Sequence, residues 1–329
     1  MWRREFLGLI AGAAAASPLA AHAQQTTTRT IGWLSLRSSD TKTETNILAA
    51  FREGLAQTGY VEGRNLTIEY RFSEGQYDLL PALAADLVQR RVAVLVTSGG
   101  TQVVKVAQAA SSAIPIVFAT AGDPIQDGLV KSINRPGGNS TGAYLINSSL
   151  APKRLEVLRE LVPDARVVAH LVNPHGLTKD KQVQEAQSAA NSIGIQLLVF
   201  EASTANDIDA AFAAMIQRGV NALLMGADPF FQVQQDQVIA LAALHKVPTV
   251  YEWPEFVTAG GLVTYSVDRS EGLRQIGVYV GRILNGANPA ELPIIQPTKF
   301  QLVVNLKTAK ALGLKIEEPF LRLADEVIE

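Results

Sequence analysis

Cysteine is absent from the 329 residues. That excludes disulfides, thiolate metal sites, a cysteine nucleophile and the acylated N-terminal cysteine of a bacterial lipoprotein. Only four histidines are present, scattered along the chain, so no metal-ligand spacing appears. Charge is sparse, at 18% Asp, Glu, Lys and Arg, and the net charge is −2 with no basic block. Phosphate binding needs clustered Lys and Arg, so nucleic acid is not an expected partner. Catalytic signatures are missing too: no G-x-S-x-G elbow, no P-loop, no H-E-x-x-H and no dinucleotide-binding glycine fingerprint. No enzymatic activity and no cofactor are expected. After the N-terminus no apolar run is long enough to span a membrane.

What is present begins with an export signal. Trp2-Arg3-Arg4-Glu5 is polar and basic, Phe6 to Ala16 is apolar and small, and Ala21-His22-Ala23 is a small-x-small cleavage site. The expectation is residues 1–23 as a signal peptide cut after Ala23, and a periplasmic mature protein. Arg3-Arg4-Glu5-Phe6-Leu7 fits the twin-arginine pattern R-R-x-F-L, and general export is the alternative.

Hydrophobic residues make up 47% of the chain, enough for two cores at about 150 residues each. Strand-like and helix-like runs alternate to the end, which predicts an α/β fold with parallel sheets. Strands are predicted at Ile31–Leu36, Leu66–Phe72, Val92–Val96 and Ile114–Ala119, with helical spacing at Thr43–Thr58 and Tyr77–Gln89 between them. The second half repeats this order. Val167–Val172, Ile195–Phe200, Val220–Leu224 and Val247–Tyr251 stand where the first four strands stood, and an x-Pro-x-β step opens the fourth strand of each half. Two doubly wound parallel-sheet domains facing each other are expected. Crossings are placed near Tyr144–Leu150, near Thr264–Asp268 and in the Pro-rich link before Lys299. The lobes are then 29–146 plus about 267–296, and 147–266 plus about 297–329, joined by a hinge.

In open parallel sheets, ligands bind beyond the carboxyl ends of strands. That rule selects Ser35 and Arg37, Thr97-Ser98-Gly99-Gly100-Thr101, Asp123, Asn173, Asp228, Tyr251 and Tyr265 as candidate ligand-binding residues. The small-residue loop suits a carboxylate or phosphate, or is simply a helix cap. Asp123 and Asp228 each precede proline, so each is either a ligand acceptor or a turn cap. Tyr251 and Tyr265 serve as aromatic walls or as core. His170, inside an apolar strand, reads as buried structure.

These residues carry a family resemblance over nearly the whole chain. R-R-E-F-L-G at Arg3–Gly8, F-R-E-G-L at Phe51–Leu55 and G-Y-V-E-G-R-N at Gly59–Asn65 are landmarks. So are L-P-A-L-A-A-D-L-V at Leu80–Val88, I-P-I-V-F-A at Ile114–Ala119 and G-D-P at Gly122–Pro124. R-P-G-G-N-S-T-G at Arg135–Gly142, Q-P-T-K-F at Gln296–Phe300 and N-L-K-T-A-K-A-L-G-L at Asn305–Leu314 complete the set. Together they resemble the ABC_sub_bind family of ABC-transporter substrate-binding proteins, tryptophan/tyrosine type. The resemblance implies a type I periplasmic-binding-protein fold and delivery of a small molecule to an ABC permease with its ATPase. It matches Thr97–Thr101, Asp123 and Asp228 to the family's cleft positions. Where relatives carry a small residue pair after the first strand, this chain has Arg37, which would select a carboxylate or repel an ammonium. A monomer is expected. The competing readings are a ligand-sensing subunit docked on a receptor kinase and an exported α/β enzyme.

Overall fold

The computed structural model describes residues 28–329. The export signal and its cleavage site lie outside the described residues. Two sheets form the frame. The first holds β1 (Arg29–Ser35), β2 (Leu66–Phe72), β3 (Leu95–Ser98), β4 (Ile116–Thr120) and β5 (Ser140–Tyr144), in the order β2-β1-β3-β4-β5. All four pairings are parallel. Helices α1 (Lys42–Gln57), α2 (Leu80–Gln89) and α3 (Thr101–Ala110) link its strands.

The second sheet holds seven strands. They are β6 (Val167–Val172), β7 (Gln196–Glu201), β8 (Ala222–Met225), β9 (Thr249–Tyr251), β10 (Val263–Val267), β11 (Phe300–Asn305) and β12 (Glu326–Ile328). Its first five strands run β7-β6-β8-β9-β10, the same order as the first sheet. The repeat read from the sequence is therefore topological. The sheet then extends through β11, antiparallel to β10, and β12. Its helices are α4 (Ala151–Leu161), α5 (Lys179–Ser192), α6 (Ala205–Gln217), α7 (Pro229–Val233), α8 (Gln235–Leu244) and α9 (Pro254–Thr258). Helix α10 (Ser270–Leu284) follows β10, and α11 (Leu306–Ala311) and α12 (Glu318–Leu321) follow β11.

The central strands are buried on both faces, as helices on both sides of a parallel sheet require. β1 is buried over its last five residues and β8 over its whole length. Helix α1 starts at Thr41, whose hydroxyl accepts from the Glu44 amide, and buries Ile47, Leu48, Phe51 and Leu55. Its partner is α10, which returns from β10 to lie along α1 and against β4 and β5. The approach is close because two glycines meet backbone. A Cβ on Gly54 would collide with the Arg274 carbonyl, and one on Gly277 with that of Phe51.

The third strand differs from its expected span. Val92 and Val94 are buried, but the two-sided pairing runs from Leu95 to Thr97, and Ser98 pairs with β1 alone. Residues 93 and 94 bond only toward β1, through Ala93 N–H to Thr30 O and Gly32 N–H to Val94 O. Thr97 and Ser98 therefore end a strand and do not sit in a loop. The turn into α3 is left to Gly99 and Gly100, with φ of 104° and 95°, a region that favours glycine.

Candidate functional site

The strand ends of both sheets face one cleft. From the first sheet's side it is lined by Arg37, Tyr77, the Ser98–Gln102 segment and Gly122, and from the other by Gly176–Thr178, Ala227–Pro229, Gln232, Glu252 and Trp253. Arg269, the cap residue before α10, lines it too. The space not filled by atoms, open mouth included, is about 680 Å³.

Arg37 spans the cleft. Its Nε donates to Gln232 Oε1 at 2.7 Å and its Nη1 to Ser98 Oγ at 2.9 Å. Behind it lies the buried Glu44, 4.0 Å from Nη1, which also accepts from Trp33 Nε1 at 2.8 Å. Burial lowers the Arg37 pKa and raises that of Glu44. A second bridge joins the sides: Tyr77 Oη donates toward both carboxylate oxygens of Asp228, each at 3.0 Å. Asp228 also accepts from Asn173 Nδ2 at 3.0 Å and from the Phe230 amide at 2.9 Å. It is thus both the cap of α7 and a wall of the cleft, so the two sequence readings are compatible. Burial raises its carboxyl pKa, and these donors oppose the shift.

The other expected residues divide. Gly99, Gly100 and Thr101 line the cleft, but the Thr101 hydroxyl is already bonded to Asp127 Oδ2 at 2.8 Å and to Thr120 Oγ1 at 3.0 Å. Ser35 and Thr97 are wholly buried at strand ends behind the lining. Ser35 Oγ accepts from the Arg37 amide at 3.2 Å and so supports it, while Thr97 Oγ1 has no partner among the described residues. Asn173 acts through Asp228. Asp123 is off the lining and caps a turn, its Oδ1 accepting from the Ile125 and Gln126 amides at 2.9 and 3.1 Å. Tyr251 is core, stacked on Phe256 at 5.0 Å. Tyr265 stacks on Phe300 at 5.8 Å, away from the cleft. These two tyrosines point into layers between sheet and helix, because side chains alternate along a strand.

The sequence reading missed Tyr77, Gln232 and Arg269, and from the Tyr251-Glu252-Trp253 run past a strand end it named only Tyr251 as ligand-binding. Glu252 and Trp253 follow Tyr251 directly, and the run past the strand end was the available signal. Burial pushes the Glu252 carboxyl up to about 8. A carboxyl raised from its ordinary 4.5 to about 8 favours the folded state most at acid pH, where it is protonated in both states. Its contribution is lost as pH rises from about 4.5 to about 8, on the order of 5 kcal/mol in all. Urea melts at stepped pH should therefore show a falling limb between pH 5 and 8 that Glu252→Gln flattens. An unchanged slope in the variant would assign that limb to other groups.

His170 is wholly buried in β6 with neither ring nitrogen bonded, and burial lowers its pKa to about 3. Among the described residues no cluster of metal-ligating side chains is present, and no helix is long and apolar enough to cross a membrane.

Two like-ordered parallel-sheet domains with a cleft at their strand ends define a type I periplasmic-binding-protein fold. The family model for ABC transporter substrate binding proteins matches residues 40–328, and the chain belongs to that family, whose members bind solutes and are not enzymes. A tyrosine-binding protein of Clostridioides difficile (strain R20291) is 23% identical over 265 residues, 80% of this chain and 76% of that protein. The crystal structure of an ABC domain in complex with L-Trp, from Streptococcus pneumonia, superposes with a TM-score of 0.83 at 26% identity, covering 92% of this chain and 100% of that one. The ligand-free, open structure of a substrate-binding protein with adhesive properties from Clostridium difficile gives 0.62 at 20% identity, over 91% and 99%.

Proposed function

We propose that this protein captures an amino acid or a closely related small carboxylate in the interlobe cleft and hands it to an ABC permease with its ATPase. The reading rests on one juxtaposition. Helix α3 begins in the cleft at Gly100 with no side chain capping it, so its first-turn amides and positive dipole end are available to a carboxylate. Opposite stands Asp228, a buried carboxylate suited to an ammonium. A zwitterion satisfies both. The relatives named for tyrosine and crystallised with L-Trp support the same class.

In this reading the lobes are 29–146 plus about 267–296, and 147–266 plus about 297–329, and they close as two bodies about three crossings. Closure gives the ligand its second set of contacts, so the ligand favours the closed form by its differential affinity, and the permease distinguishes loaded from empty protein by shape. The protein works as an exported monomer cut after Ala23. Thermal shift and calorimetry over the common amino acids test the ligand class. A compound at a hundredfold excess over Kd adds about 2.7 kcal/mol of stability. No shift with any amino acid would reject the class, and a mature chain still beginning at Met1 in mass spectra of periplasmic extract would reject the cleavage.

A further inference from the structure

The proposed zwitterion uses the start of α3 and Asp228. It leaves a pair of donors unexplained beside Arg37, where α10 begins. Trp253 Nε1 and Arg269 Nη1 are buried with no hydrogen-bond partner among the described residues, and both residues line the cleft. Glu44 Oε2 and Glu255 Oε2 are buried without a hydrogen-bond partner as well. Arg37 uses Nε and Nη1 on Gln232 and Ser98. Arg269 and Trp253 are 7% and 3% exposed, so water does not readily substitute, and a buried unmet donor is costly.

Arg37, Arg269 and Trp253 form one constellation. The Arg269 guanidinium lies 4.3 Å from the centre of the Trp253 ring, and it is near enough to Arg37 to disfavour the charge there. Their own counter-charges sit to the side. Glu44 is 4.0 Å from Arg37 Nη1 and does not line the cleft, and Glu255 pairs with Arg269 Nη2. Glu252, the remaining acid at this end, already accepts from Gln232 Nε2 at 3.1 Å. The same cleft is also lined by Ile47, Leu145 and Leu273, which suits the hydrocarbon part of a ligand.

We propose that Arg269 and Trp253, with Arg37 beside them, form a subsite for an oxygen acceptor of the ligand other than its α-carboxylate. This rests on the reading of the cleft as an amino-acid or small-carboxylate site and narrows it. The preferred compounds carry a second hydroxyl, carbonyl or carboxylate oxygen beyond the α-carboxylate, and simple apolar side chains are disfavoured. The discriminating power is large, because a site built around unmet donors penalises any ligand that leaves them unmet.

Calorimetry with matched pairs tests this. L-tyrosine is compared with L-phenylalanine for a neutral oxygen, and L-glutamate with L-norleucine for an anionic one. The oxygen-bearing member of at least one pair should bind about tenfold to a hundredfold tighter, and which pair responds separates a neutral from an anionic acceptor. Trp253→Phe keeps an aromatic ring beneath Arg269 while removing the indole N–H together with the smaller ring that carries it, so it should shrink the ratio without loss of fold. Arg37→Met combined with Glu44→Gln, which leaves no orphaned carboxylate, should bring the ratio close to one. Equal affinities within both pairs would overturn the subsite and leave the amino-acid reading standing. So would a ratio that persists in both variants. Failure of all four compounds to bind would overturn the subsite together with the amino-acid reading.

Discussion

Asp228→Asn is expected to weaken the bound amino acid about a hundredfold or more while leaving the unfolding midpoint nearly unchanged. Asparagine keeps an oxygen for the Phe230 amide and Asn173 Nδ2, so the cap of α7 survives. What is lost is the charge facing the ligand's ammonium. Breaking a buried ion pair by removing one partner costs roughly 2–5 kcal/mol, which is about 30-fold to several thousandfold in Kd. A second signature follows from burial. The Asp228 carboxyl is raised in the free protein, and an incoming ammonium pulls it back down. Binding therefore releases protons at the acid side, and affinity falls as pH falls. Calorimetry in buffers of differing ionisation enthalpy reads both effects. If Asp228→Asn lowers stability but leaves affinity intact, the carboxylate is a cap alone.

Arg154→Met is expected to cost about 3–5 kcal/mol of folding free energy, the range seen when one partner of a buried charged network is removed. The side chain is 1% exposed and ties together three pieces of chain. It donates to Asn147 Oδ1 at 2.6 Å and to the Asn147 carbonyl at 3.3 Å, in the segment linking β5 to α4. It also donates to the Glu252 carbonyl at 3.1 Å and to the Tyr265 carbonyl at 2.9 Å. Methionine fills the volume but leaves the Tyr265 carbonyl and Asn147 Oδ1 with no donor from that side. Denaturant melts give the magnitude. A loss under 1 kcal/mol would mean that solvent replaces these bonds.

Much of the architecture was legible because it depends on local composition. Val167–Val172 is a continuous apolar run and became β6 with the same bounds, and the repeated order of runs foretold the repeated strand order. Register was less legible. Apolar residues at 92–96 cannot say which of them pair on both sides, so β3 began three residues later and ended two residues later, at Leu95–Ser98. The cleft was half legible for a related reason. The strand-end rule finds backbone positions, and it found Arg37, Ser98–Thr101 and Asp228. It does not say which way a side chain turns, so Tyr251 and Tyr265 were expected in the cleft while the next residues along, Glu252 and Trp253, line it. Gln232 and Tyr77 meet partners 195 and 151 residues away, and no spacing pattern in one sequence carries that pairing.

The clasp of α10 on α1 delays completion of the half encoded first. Phe51 and Leu55 leave the ribosome early, but the helix that covers them begins only at Ser270. Strands β6 to β10 are all made by Val267, so the half encoded later has its five parallel strands complete while the half encoded first still lacks its cover. Nascent domains fold as units, and uncovered apolar surface is the stretch that aggregates. The first lobe therefore spends most of synthesis as an open-faced intermediate, with the groove beside Gly54 as its exposed seam and the place where a chaperone would be needed.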